Sequence, residues 1–262
     1  MIKTYLDYNI FIDLIHARNT INLAKYLKTN SIQYYYSPAH LEEIAHANFT
    51  YSKESLQDYF NIISEITHNM EIRPLLKLDP LYYYVEYPQK VFSRVVDNGG
   101  YLKTKLAENS DHVNFSMWQE LRKSNKITLD LKILNNVSPK NIFSDEIFDS
   151  NLVNIFDEIF YPFKFYNLKQ RYYILSQLPY FYLEASIEAL LKILQFIGYH
   201  SDKERTFRSA THDISHGHYA TMCDIFVTND KKYSYRIEAV YNFLGVPTKI
   251  MNFKTYFNEI LS

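Results

Sequence analysis

An α/β fold built on a parallel sheet is the class this chain predicts, and stretches at its two ends carry the prediction. Thr211 to Asp230, THDISHGHYATMCDIFVTND, reads as a short helix followed at Cys223 to Thr228 by a strand centred on Ile225, Phe226 and Val227. Near the start, Lys3 to Phe11, KTYLDYNIF, reads as an apolar, aromatic-rich strand, after which Ile12 to Leu27 begins a helical pattern. Alternating strands and helices point to right-handed crossovers within one sheet. Ligands of open α/β sheets gather outside the carboxyl ends of the strands, so an acid placed where a buried strand stops is presented to the site. Asp7, with Asn9, near the first exit and Asp230 at the second are expected to share one carboxylate cluster.

Between those ends the elements follow in order. Ser31 to Tyr36, SIQYYY, predicts a second strand, and Ser37-Pro38 supplies the N-cap and first turn of a helix carrying Glu42, Glu43 and His46. Leu41, Ile44 and Ala45 form its buried stripe. At 100° per residue only one of the two glutamates faces the sheet's carboxyl edge squarely, and the stripe leaves both orientations open for Glu43. From Phe49 to about Glu184 the pattern changes to long helical stretches such as Glu54 to Met70 and Asn151 to Ile159, punctuated by Pro74, Pro80, Pro88, Pro139, Pro162 and Pro179. The expected organisation is one α/β domain from residues 1–49 and 185–262, with residues 50–184 as a mostly helical insertion or subdomain.

Within that insertion, Pro88 to Gly100 and Asn135 to Ser144 are expected to be loops. Ser186 to Tyr199 predicts an amphipathic helix ending at Gly198, and Arg205 and Arg208 follow it as a phosphate clamp or as a solvated surface pair. Ser234 to Leu244 predicts a helix stopped by Gly245, Thr248 to Met251 a final strand, and Phe253 to Ile260 the closing segment.

Composition removes several function classes. Lys+Arg total 28 against Asp+Glu 29, so no global basic field draws the chain to nucleic acid, and phosphate affinity would have to come from metal or from local patches. A single cysteine, Cys223, excludes an internal disulfide and a cysteine-based zinc cage, which fits a reducing compartment. Five glycines, with no GxGxxG or GxxxxGK run, argue against nucleotide-driven chemistry. No secretory leader or membrane-spanning run is expected, and the cytoplasm is the expected location. The 25 tyrosines and 18 phenylalanines are read chiefly as core filling, with base stacking as the alternative.

YLDYNIFIDL at the start, SPAHLEEI at Ser37 to Ile44, and the closing DISHGHYA and CDIFVTND resemble the three signature regions of PIN-domain nucleases. The resemblance covers roughly the first 50 and last 75 residues and leaves the middle untouched. It implies a PIN-like three-layer fold with a central parallel sheet, carrying here a large helical insertion. It also implies a metal-dependent nuclease, an endoribonuclease ahead of a DNA-cutting enzyme, of the toxin-antitoxin or defence type, with RNA as substrate. A neutralising antitoxin protein or a second copy of the chain would be its partner, and no membrane is involved. Carried over by residue, Asp7 with Asn9 matches the first acidic position and Glu43 the helix acid, with Glu42 as its rival. Asp213 opens the third region, and Thr228 with Asp230 matches its closing T-x-D element.

Converging carboxylates repel one another, and a divalent cation relieves that cost. Hard oxygen donors suit Mg²⁺ or Mn²⁺. Asp7 and Asp230 are the expected principal ligands, and Asp213 and Glu43 complete the set. Asn9, Ser37, Thr228 and His216 are expected to support them or orient phosphate, whereas Asp13 and Asp224 are expected to be structural. Two other function classes compete. His212-Asp213-Ile214-Ser215-His216 resembles a zinc HExxH helix with Asp replacing Glu and His218 close by. A PIN-like scaffold without activity is the other, although all four acidic positions are filled.

Overall fold

A computed structural model describes residues 1–17, 31–47, 53–76, 78–98, 131–144, 168–201 and 210–261; the expected helix at Asn151 to Ile159 and the arginines Arg205 and Arg208 lie outside them. β1 (Ile2–Leu6) is shorter than the sequence predicts. The segment Lys3 to Phe11 divides into a strand, the exit residue Asp7, and the start of α1 (Tyr8–Ala17). Ile10, Phe11 and Leu14 explain the early turn, because their spacing buries all three along one helical stripe. Asn9 is consequently an exposed residue of the first helical turn and not a strand-end group.

β2 (Ile32–Tyr35) leads into α2 (Pro38–Ala47), which has proline at its first helical position, and then α3 (Lys53–Thr67). Here the stretch expected to be helical departs from expectation. β3 (Met70–Pro74) and β4 (Leu81–Val85) pair antiparallel, and β3 reaches the edge of β2 through a parallel bridge between Tyr36 and Glu71. The run Pro88 to Gly100, expected as a loop, holds α4 (Pro88–Asp97), whose Pro88, Val91 and Val95 are buried on one face. Proline opens this helix because a first-turn N–H has no intrahelical acceptor to lose. Buried Glu71 on β3 pairs with Arg73 and with Arg94 of α4, tying the hairpin to that helix.

After α5 (Leu131–Asn135) and α6 (Leu168–Gln177), α7 (Tyr180–Ile197) ends at Gly198 in the left-handed conformation at φ 88°. α8 (Ala210–Ala220), β5 (Ile225–Val227) and α9 (Lys231–Leu244) follow. β6 (Lys249–Met251), α10 (Phe253–Tyr256) and a π-helical turn at Phe257–Leu261 close the chain.

The four-stranded sheet has the order β2-β1-β5-β6 with every pairing parallel, and Thr4, Tyr5 and Leu6 stand opposite Ile225, Phe226 and Val227. Side chains alternate between its faces. Tyr5, Tyr35 and Phe226 enter a core that includes Leu134, Ile142, Leu175, Leu183, Leu190 and Ile237; Leu6, Tyr34 and Val227 enter a second core with Phe11, Ile44, Ile63 and Val91. Helices therefore cover both faces, and the described parts of residues 50–184 contribute to both cores. Asp224, expected to be structural, accepts the Lys3 amide through Oδ2 at 2.8 Å, while its own amide donates to the Lys3 carbonyl at 2.8 Å, which pins the register of β5 on β1.

Many tyrosines end on a backbone carbonyl of another element. The Tyr172 hydroxyl donates to Thr221 O at 2.7 Å and that of Tyr199 to Val137 O at 3.1 Å. Tyr83 donates to Met222 O, Tyr233 to Asp213 O and Tyr241 to Gly217 O. Each ring fills core volume while its hydroxyl bonds a carbonyl of another element, in several cases one that a helix end or loop leaves without an intrahelical partner. Among the described residues, no helix is long and apolar enough to cross a membrane.

Candidate carboxylate site

The order β2-β1-β5-β6 places a topological switch point between β1 and β5, because the chain leaves β1 for β2 on one side while β5 continues to β6 on the other. The crevice at the carboxyl ends of such strands is where α/β sheets bind ligands. Asp7 follows β1 directly and Thr228 follows β5 directly. The Asp7 amide donates to Val227 O at 2.9 Å, and Thr228 Oγ1 donates to Asp7 Oδ2 at 2.8 Å.

Asp7 is buried, with 5% exposed. Burial raises its pKa; nearby His216 opposes the rise, Glu43 adds to it, and the bonds from Thr228 and the Tyr8 amide oppose it. Asp213, half-buried on the first turn of α8, is raised well above the usual carboxylate range, first by burial and then by Asp7, with Arg236 opposing and Glu43 and Asp230 adding. Burial, with help from Glu42, pushes Glu43 up to about 8. Asp7, Glu43 and Asp213 therefore lie close enough to feel one another's charge. Glu43 acts on both aspartates, and Glu42 is absent from the causes of either shift. That distinguishes the two glutamates which the helical stripe left equivalent, although Glu42 also acts on His216 and on Glu184 of α7.

The α8–α9 contact fixes Asp213. Tyr233 and Tyr241 of α9 donate to the carbonyls of Asp213 and Gly217, and a β-carbon on Gly217 would stand 2.5 Å from the Tyr233 hydroxyl and 2.7 Å from Ile237 Cδ1. Glycine lets α8 approach α9 this closely without displacing either side chain.

Asp230 stays within electrostatic reach of Asp213, and its amide donates to the Thr228 hydroxyl that holds Asp7; other expected site residues take different positions. Asp230 is exposed and caps α9, its Oδ1 accepting from the Tyr233 amide at 2.8 Å, so one oxygen of this acid is engaged in helix capping. Ser37 is wholly buried, its hydroxyl 2.6 Å from that of Tyr5, which removes it from contact with a substrate phosphate. His216 is also buried, at 1% exposed, and both ring nitrogens have partners: Tyr5 at Nδ1 and Glu43 at Nε2. That leaves no nitrogen for zinc and counts against the HDxxH alternative. His218 is stacked on Tyr180, and the side chain of His212 lies outside the described residues.

Tyr5, His40 and Arg236 were not among the expected site residues. The signal for His40 was its place three residues after Ser37: its Nδ1 accepts the Ser37 amide at 3.1 Å, the back-reach of a capping box with imidazole in place of a carboxylate.

Among the described residues, no three His, Cys, Asp or Glu side chains are gathered around one point as an ion's ligand set. The donor chemistry still fits a hard cation in kind. Asp7, Glu43 and Asp213 are oxygen donors whose burial and mutual repulsion disfavour their charged forms, and a divalent cation offsets both. Comparison with protein-family models, curated proteins and solved structures finds no match for this chain.

Proposed function

We propose that the chain is a metal-dependent nuclease that hydrolyses phosphodiester bonds, with RNA ahead of DNA as substrate. The observation that supports it is the mutual electrostatic influence of Asp7, Glu43 and Asp213, acids from remote parts of the sequence, with Asp7 at the sheet's switch point and each held above the ordinary carboxylate range. Asp7 and Glu43 would hold Mg²⁺ or Mn²⁺, with Asp213 beside them. When bound, such an ion polarises a phosphodiester and lowers the pKa of a water. The chain itself supplies position: Thr228 orients Asp7 through Oδ2, and the tyrosine clamp of α9 on α8 fixes the backbone at Asp213. The preference for RNA, and any neutralising antitoxin or second copy as partner, come from the resemblance of the signature regions.

Incubation of the purified chain with a mixed RNA and single-stranded DNA panel, with Mn²⁺ and with EDTA, tests the proposal. Manganese-dependent RNA cleavage that Asp7→Asn and Glu43→Gln each reduce by about a hundredfold or more is expected, a loss comparable to removing one transition-state donor. Cleavage unaffected by EDTA, or equal in wild type and Asp7→Asn, sinks it.

A further inference from the structure

Behind Glu43 runs a line of buried polar groups. Glu43 Oε1 lies 2.6 Å from His216 Nε2, and His216 Nδ1 lies 2.8 Å from the Tyr5 hydroxyl. That hydroxyl lies 2.6 Å from Ser37 Oγ and 3.4 Å from His40 Nδ1. His40 ends the line on backbone: its Nδ1 is 3.1 Å from the Ser37 amide nitrogen and its Nε2 is 2.8 Å from the Leu6 carbonyl. Tyr5, Ser37, His40 and His216 are all buried.

The two backbone groups fix the His40 end of the line, and the distances and the need to satisfy each hydroxyl favour one direction for the rest. An amide only donates and a carbonyl only accepts. His40 Nδ1 is therefore the acceptor and its Nε2 carries the hydrogen that Leu6 receives. With Nδ1 already occupied, the Ser37 hydroxyl donates to Tyr5, whose distance is 2.6 Å against 3.4 Å to the imidazole. Tyr5 then donates to His216 Nδ1, which places the His216 hydrogen on Nε2, facing Glu43. Every donor and acceptor in the line is satisfied in this one arrangement, and a fully satisfied buried network is rigid.

We propose that His216 is a positioning residue: held in one tautomer by Tyr5, Ser37 and His40, it donates to Glu43 and holds that carboxyl group against α8. A divalent cation then meets two fixed acids in place of one fixed and one swinging side chain. The cation belongs to the nuclease proposal on which this inference rests; the holding of Glu43 stands on geometry alone. The role narrows the one the sequence suggested for His216, which was to support the acidic ligands or to orient phosphate.

Two measurements on the full chain test it: calorimetric titration with Mn²⁺, and metal-free crystal structures, each for wild type, His216→Phe, His216→Gln and Tyr5→Phe. In His216→Phe, Mn²⁺ affinity is expected to fall about tenfold or more, as when other groups that orient a metal ligand are removed, and the Glu43 carboxylate to leave its wild-type position. Tyr5→Phe keeps the imidazole but removes the donor that fixes its tautomer, so a smaller loss with the same displacement is expected. His216→Gln, which retains an N–H donor, recovers part of the affinity. Unchanged affinity together with an unmoved Glu43 in both His216→Phe and Tyr5→Phe overturns the inference, and Tyr5→Phe decides alone if His216→Phe does not fold. Wild-type protein that binds no Mn²⁺ sinks the nuclease proposal instead, and the crystallographic position of Glu43 then decides whether His216 holds it.

Discussion

Thr228 Oγ1 donates to Asp7 Oδ2 at 2.8 Å, and the same oxygen accepts the Asp230 amide at 3.2 Å. One hydroxyl thus joins the exits of β1 and β5 although its partners stand at opposite ends of the sequence. Thr228→Val keeps the shape and removes the donor, leaving a buried carboxylate short of one bond. A loss of about 1–3 kcal/mol in unfolding free energy is expected, by urea titration at pH 7, with Thr228→Ser close to wild type. A Thr228→Val variant as stable as wild type would show that Asp7 does not depend on this bond.

Asp230 allows capping and charge to be separated. Asp230→Ala should cost about 1 kcal/mol through loss of the α9 cap, whereas Asp230→Ser, which can still accept from the Tyr233 amide, should stay within a few tenths. Cleavage by Asp230→Ser is expected to fall less than that of Asp7→Asn. The opposite ranking, at intact thermal stability, would return Asp230 to the centre of the site.

At Gly217, packing and helix propensity pull in opposite directions. Alanine is favoured over glycine within an exposed helix by about 1 kcal/mol. Here the added methyl would meet Tyr233 and Ile237, so Gly217→Ala is expected to destabilise by about 1–3 kcal/mol, the range for overpacked cores. Differential scanning calorimetry gives the sign directly. A raised Tm would mean that α8 and α9 do not approach this closely in solution.

Stability should decline as pH rises across the neutral range. Burial holds Glu43 up at about 8 and Glu184 at about 7, against 4.5 for the free side chain. A raised folded-state pKa means that the protonated form is favoured on folding. Its contribution is full below pH 4.5, is lost as pH climbs through the folded value, and is absent above about 8 for Glu43 and about 7 for Glu184. The buried imidazoles of His40, His216 and His218, whose pKa values burial lowers, act in the opposite sense as pH falls below 6.5. Variant and wild type must therefore be compared at the same pH. Urea midpoints from pH 4.5 to 8.5 should decline less steeply in Glu43→Gln and Glu184→Gln than in wild type; parallel curves would contradict both assignments.

His218 is wholly buried, neither ring nitrogen has a hydrogen-bond partner among the described residues, and burial lowers its pKa to about 3. It borders a small cavity lined also by Leu81, Leu175 and Leu183, and its ring stacks on Tyr180 at 5.8 Å. Replacing the ring by phenylalanine keeps the stack and removes two unsatisfied atoms. His218→Phe should therefore raise stability by about 1 kcal/mol or more. A loss of that size would indicate a bound water in the cavity.

Much of the sheet was legible in the sequence, because buried parallel strands leave short apolar runs and glycine marks where helices stop, as at Gly198 and Gly245. The hairpin at Met70 to Val85 was not. Pro74 and Pro80 read as breaks within a helical region, whereas here Pro74 is the last residue of a strand and Pro80 precedes one, where a missing N–H costs little. Asp7 could be named from its place after a strand, whereas the helical stripe left Glu42 and Glu43 open and only the resemblance chose between them. Tyr5 and His40 could not be named, because a tyrosine inside a strand and a histidine on a helix look like core residues until a third element, α8, brings His216 against them. Asp230 shows the converse: the residue type that suits a strand-end ligand is also the one that best caps the following helix.

The tyrosine hydroxyls that end on distant carbonyls limit how the molecule can open. On the α8–α9 contact two such bonds, from Tyr233 and Tyr241, reach carbonyls one helical turn apart, so a shear of one helix along the other would break both at once and find no new acceptor until a full turn had passed. Graded sliding is therefore suppressed at this seam. Relative motion of α8 and α9 is left to hinging rather than sliding.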